Sequence, residues 1–331
     1  MLMRTRSRAL LAAVAAIAIA ATACGGDDNG SSGTNQEQNL SGTIRIDGSS
    51  TVAPLSEAAA ELFRKDNSGV QITVGTSGTG GGFEKFCNAE TDINDASRPI
   101  KDEEKAKCTA KNVVFDEFQV ANDALTVVVN KDNTWLDCIT VAQLKTIWDQ
   151  GSKVTNWNQV DPKFPNQKMS LFGPGTDSGT FDYFTAEING EEGRSRTDYE
   201  ASEDDNRIVT GVAGDKGGLG YFGFSYYEEN TDKLKALKVD GGGGCVEPSV
   251  ATVQDGTYKP LARPLFIYPT SALLARAEGV AFVEYYAEHA TEIADDAQFV
   301  PLTDAQKAAL KTKIDALKAK AGPGTSATPT S

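Results

Sequence analysis

Three short stretches hold the residues best equipped for chemistry: residues 47–54 (DGSSTVAP), 75–83 (GTSGTGGGF) and 173–180 (GPGTDSGT). Each gathers serine, threonine and glycine where a helix is expected to begin. The first turn of a helix carries backbone N–H groups with no acceptor inside the helix, together with the positive end of the helix dipole. Such a mouth seats an anion. One motif of this kind is ordinarily a helix cap and nothing more. Three of them, each following a strand, point to a small oxyanion held where strands end, as ligands are in open α/β sheets. Ser50, Thr51, Ser77, Ser178, Gly179 and Thr180 are the donors this reading uses.

Two charged residues bear on the same chemistry. Arg98 either forks two anion oxygens or makes an ordinary salt bridge. Asp177 repels an anion unless the ligand still carries a proton to donate. Hydrogen phosphate has one and sulfate has none, and two facing acceptors would both go unpaired.

Catalysis is poorly supplied. The only histidine is His289, so a serine nucleophile in GTDSGT would have to borrow its base from a C-terminal helix. GTSGT lacks the closing glycine of G-x-S-x-G, and no Walker A loop occurs. No paired-cysteine or paired-histidine spacing suggests zinc. The chain is expected to be no enzyme and to need neither cofactor nor metal.

The elements around the motifs alternate strand, loop and helix. Residues 43–47 read as a strand, 55–65 as a helix, 70–74 as a strand and 83–88 as a helix, the order of an α/β sheet. Strands are expected at 113–118 and 124–130, the second a nearly unbroken apolar run as a buried central strand is. A strand at 169–172 runs into GPGTDSGT and a helix at 181–188. Residues 189–205 read as an exposed insertion. Helices are expected from an Asn206 cap, over 273–289, and over 304–320 behind a Thr303 cap. A chain of 331 residues suits two lobes.

Arg4, Arg6 and Arg8 precede an apolar run and then Ala-Thr-Ala-Cys, which predicts a signal peptide over 1–23. Cys24 follows as in a bacterial lipobox, although Ala21 stands where leucine is usual. Residues 24–40 read as a lipid-attached flexible tether, and 322–331 as a disordered tail. Net charge is −14, and loss of 1–23 removes three arginines and no acid, leaving −17. Such a surface argues against nucleic acid as a partner. Cys87, Cys108, Cys138 and Cys245 remain, an even number suited to two disulfides in an oxidising compartment.

IDGSSTVAPL, GTSGTGGGFEKFC, TDINDASRPI and GPGTDSGTFDYF, in this order, resemble the PstS-like, SphX-type phosphate-binding lipoproteins of Pst-type ABC transporters. The likeness spans roughly residues 42–320. It implies an α/β type II periplasmic-binding-protein fold with the ligand in an inter-lobe cleft. Lobe I would take 41–121 and 266–321, and lobe II 122–265. Cysteine pairing within each lobe would join Cys87 to Cys108 and Cys138 to Cys245. Carried over, the phosphate ligands are Ser50, Thr51, the amide of Val52, Ser77, Ser178, Gly179 and Thr180. The better-known branch has an aspartate where Arg98 stands and an arginine near Pro174, so Arg98 and Asp177 are expected to exchange those roles. The implied partners are inorganic phosphate, a membrane permease with its ATPase, and the membrane through the Cys24 lipid. The implied protein is a monomer, extracytoplasmic and anchored to the cell membrane. Sulfate or molybdate in the same fold is the alternative, and phosphate-ester hydrolysis a more distant one.

Overall fold

A computed structural model describes residues 40–176 and 178–321, with side chains to residue 316. The predicted leader and tether up to residue 39, the tail and Asp177 lie outside the described residues.

Strand β1 (Gly42–Gly48) buries Ile44 and Ile46 and turns Thr43 and Arg45 outward, the period-two pattern of a half-covered strand. It lies between two parallel neighbours, β2 (Val70–Val74) and β3 (Ile93–Ala96). Helix α1 (Ala53–Asp66) starts with proline in its first turn and buries Leu55, Ala59 and Phe63, spaced by four. Helix α2 (Gly78–Cys87) leads back from β2, and α3 (Asp102–Ala110) follows β3. Beyond β3 the sheet continues antiparallel to a return strand, Ala262–Pro269, and then to β4 (Phe118–Asn130). The far half of β4 pairs with Gly218–Gly223, which lies parallel to Ser170–Gly173.

Strand β4 corrects the strands expected at 113–118 and 124–130: residues 113–117 stay outside it with a single bridge, Phe115 to Thr270, and from Phe118 it runs unbroken through residues 119–123. It is one strand of 13 residues. Asn122 and Asp123 read as an interruption because they are polar, yet both are buried with partners. Asn122 exchanges backbone hydrogen bonds of 2.9 and 3.0 Å with Val300, and Asp123 pairs with Arg263. The helix expected over 273–289 also divides. A 3-10 turn, Leu273–Ala275, is separated from Ala277–Glu288 by extended Arg276, whose guanidinium donates to the Thr43 carbonyl at 3.1 Å. The helix Asp205–Gly214 is capped by Asp204 rather than by Asn206. Thr303 does cap the last helix, in a reciprocal box with Gln306.

Apolar side chains collect in two large cores. The first takes Ile44, Leu55, Phe63, Ile93, Phe118 and Ala121, with Leu265, Ile267, Phe282 and Ile314. The second takes Ala124, Val127, Trp148, Trp157, Phe184, Tyr221 and Leu261. The changeover falls between Ala121 and Ala124 on β4 and between Leu261 and Leu265 on the return strand.

Disulfides join Cys87 to Cys108 and Cys138 to Cys245, the pairing that the resemblance implies. The first ties the end of α2 to α3. The second closes 107 residues against 21 for the first. Loop-closure entropy then predicts that Cys138→Ala with Cys245→Ala costs about 5 kcal/mol and the other double substitution about 3. Urea unfolding of the two variants measures the difference, and a reversed ranking would show that loop length does not set it.

Candidate functional site

The three glycine-rich stretches meet. A cleft of about 720 Å³ is lined by Ser50 and Thr51 from the loop after β1, by Ser77 and Gly78 at the mouth of α2, by Arg98 after β3, and by Gly179. Thr180 faces an adjoining cavity of about 180 Å³, with Ser50, Thr51 and Gly179 again in its wall. Ser178 caps the helix Gly179–Phe184, its Oγ accepting the Thr180 N–H at 3.2 Å. Val52 is fully buried, and its N–H donates to the Ser49 carbonyl at 3.1 Å. His289 is elsewhere, stacked on Tyr285 and 3.1 Å from Glu292.

Asp47 organises the first wall. Its carboxylate accepts the Ser77 N–H at 3.0 Å, the Ser77 hydroxyl, and the Lys85 ammonium at 2.6 Å. Burial pushes its pKa upward, but the Lys85 and Ser77 donors outweigh burial and hold it below the usual carboxylate range. Gly78, the residue after Ser77, has φ of +77°, a left-handed turn that favours glycine. The N–H groups of Gly78, Thr79 and Gly80 open α2 and have no acceptor one turn back. Thr79 Oγ1 accepts the Ser97 N–H at 3.2 Å, which ties this loop to the one bearing Arg98.

Arg98 stands in the cleft wall already paired. Its two terminal nitrogens donate to the two carboxylate oxygens of Glu104 at 2.9 and 2.8 Å, and Nη1 also to the Pro99 carbonyl. Burial would raise the Glu104 pKa, and the guanidinium with the Lys101 N–H lowers it overall. Glu104 thus already takes the bidentate edge of the guanidinium.

The second wall is the helix Gly179–Phe184. Its position follows from aromatic packing: Phe184 stacks on Tyr221 with centroids 3.7 Å apart, and Trp148 meets Tyr221 edge-on at 5.0 Å. The chain approaches the first wall so closely that a Cβ on Gly179 would stand 2.6 Å from Thr51 Oγ1 and 3.2 Å from Ser50 Oγ. Carboxyls sit further along the same wall. Burial, reinforced by the Glu192 charge, pushes Asp182 up to about 6, and burial also raises Glu187.

Sequence reasoning missed the pair of Arg263 and Asp123. Arg263, on the return strand, donates through Nε to Asp123 of β4 at 3.1 Å and through Nη2 to Thr51 Oγ1 at 3.0 Å. Its guanidinium carbon lies 3.5 Å from the centroid of the Tyr183 ring. Tyr183 is itself fixed by donating to the Pro260 carbonyl at 2.6 Å. Burial raises the Asp123 pKa, and Arg263 offsets only part of that. These residues lie 140 positions apart, and only the antiparallel register of β4 with the return strand, Asp123 opposite Arg263, brings them together.

A model of the PBP superfamily domain matches residues 33–289. The protein SphX of Synechococcus elongatus is 52% identical over 262 residues, 78% of this chain and 77% of the relative. The phosphate-binding protein PstS of Staphylococcus saprophyticus is 43% identical over 295 residues, 88% of this chain and 89% of the relative. A solved structure of a possible phosphate binding protein from Planctomyces limnophilus has a TM-score of 0.80 at 45% identity, covering 84% of this chain and 99% of that one. Two cores joined through a shared sheet, a polar cleft between them and relatives alike along most of their length lead to one conclusion: the chain belongs to the PBP superfamily, in the family of SphX and PstS, with the two-lobe type II fold.

Proposed function

We propose that the protein is an extracytoplasmic solute-binding protein that captures inorganic phosphate and delivers it to an ABC permease and its ATPase. The observation that carries this reading is the convergence of Ser50, Thr51, Ser77 and Gly179 on one cleft. Ser50, Thr51 and Gly179 supply hydroxyl and backbone donors, Ser77 joins by releasing Asp47, and no histidine lines the cleft among the described residues. The ligand set is Ser50, Thr51, the Val52 amide, Ser77, Ser178, Gly179 and Thr180, with Asp177 taking the proton that phosphate carries. Arg98 joins by releasing Glu104. Lobe I takes 41–121 and 266–321, lobe II takes 122–265, and the changeover of the two cores near Ala121 and Leu265 supports that division. Closure bends the chain at those two crossings. Cys24 carries the lipid, and the protein works as a monomer. Among the described residues no helix is long and apolar enough to cross a membrane.

Calorimetry of the chain lacking residues 1–23 tests the ligand. Phosphate is expected to bind with a Kd near micromolar or tighter, which asks for about −8 kcal/mol net. Sulfate is expected to bind about 100-fold more weakly, since it leaves the Asp177 acceptor facing another acceptor. Sulfate or molybdate binding as tightly as phosphate would sink the choice of phosphate.

A further inference from the structure

Four cations line the cleft among the described residues: Arg98, Lys101, Lys259 and Arg263. Arg98 gives its bidentate edge to Glu104, and its side chain is 32% exposed. Lys101 and Lys259 are exposed. Arg263 differs from all three. Its side chain is only 16% exposed, and it is held from three directions, by Asp123, by the face of Tyr183 and by Thr51. A guanidinium has five N–H groups. Nε is committed to Asp123 and one N–H of Nη2 to Thr51, so the fork keeps N–H donors to spare, and Arg263 lines the same cleft as Ser50, Thr51 and Gly179. Held this way, the fork has little rotamer freedom left to lose on binding.

The geometry points to Arg263 as the residue that pairs with the anion's charge, with Asp123 as the positioning residue that aims it. This rests on the oxyanion reading of the cleft and deepens it by assigning the cation. It also has a mechanical side. Arg263 stands on the return strand where the two cores change over, and it touches Thr51 from one wall and Tyr183 from the other. An anion on this fork therefore engages both walls and a crossing strand at once, so occupancy and closure share one side chain.

The test is calorimetry on wild type, Arg263→Gln, Arg263→Lys and the double variant Arg263→Gln with Asp123→Asn, each titrated with phosphate, sulfate and molybdate. Arg263→Gln alone strands a buried carboxylate and can fail to fold. The double variant removes both charges and keeps a neutral pair, and thermal melting checks that it is folded. Loss of a buried charge-assisted contact of this kind predicts a Kd raised about 100-fold or more in both glutamine variants. Arg263→Lys keeps the charge without the fork and is expected at about tenfold. A folded double variant that binds within about threefold of wild type overturns the assignment. If wild type prefers sulfate or molybdate, the choice of phosphate falls, and the same ratios measured with that anion decide Arg263 on their own. A wild type that binds none of the three overturns both readings.

Discussion

Asp95→Asn is expected to stabilise the protein at alkaline pH and to leave it unchanged or weaker at pH 5, so that the two stability curves cross. Asp95 is fully buried at the end of β3, directly beneath the ligand loop, where its carbonyl accepts the Ser49 N–H at 2.9 Å. One carboxyl oxygen accepts the Ser56 hydroxyl at 2.9 Å, and the other has no hydrogen-bond partner. Burial is the main cause of a pKa pushed up to about 8, the Ser56 bond opposes it, and the charges of Asp47 and Glu57 add to it. In the unfolded chain the same group titrates near 4. Between those values the folded state holds one more proton than the unfolded state, so stability falls as pH rises, by about 1.4 kcal/mol per unit. It is greatest below the unfolded pKa and lowest above about 8. Asparagine carries no such proton and its curve lacks this slope. Its amide would lack an acceptor, which costs about 1–3 kcal/mol at any pH. Urea unfolding at pH 5, 7 and 9 measures the gap, and parallel curves for the two proteins would remove Asp95 as its source.

Gly179→Ala is expected to lower phosphate affinity about 100-fold while the melting temperature holds or rises slightly. The stability half follows from the helix. Gly179 is its first residue and its φ is not positive, so alanine fits the backbone there and improves helix propensity. The binding half follows from the other wall. The new methyl would meet Thr51 Oγ1 at 2.6 Å and the Thr51 nitrogen at 3.1 Å. Contacts that short force the walls apart, and parting them relieves the strain. A variant that binds phosphate within a few-fold of wild type would mean that the walls need not come this close.

The local parts of this arrangement were legible in the sequence because they are written locally. A helix mouth needs its serine or glycine within a few residues of the first turn, and Ser77, Ser178 and Thr303 all stand there. The strand and helix order of residues 40–100 follows from periodicity for the same reason. Pairings set by sheet register were not legible. Nothing near Arg263 announces Asp123, and nothing near Asp47 announces Lys85, which reaches it from the last turn of α2. The polar pair Asn122–Asp123 misled in the same way, because it looks like a loop until Val300 and Arg263 are placed opposite it. Arg98 was visible as a charge in the right loop, but its use depends on Glu104, six residues on and in the next helix.

The first core is assembled from two distant parts of the chain, residues up to Ala121 and residues from Leu265 onward. On a ribosome or emerging from a translocation pore, the early part has its helices and parallel strands but not the return strand that pairs with both β3 and β4. Its apolar face stays open until nearly all of the second core, up to Leu261, has been made. Contacts this far apart in sequence fold slowly. Lateness of this kind is a hindrance for a protein that must fold as it is synthesised, but it suits a chain exported before it folds, as the leader proposed over 1–23 would require.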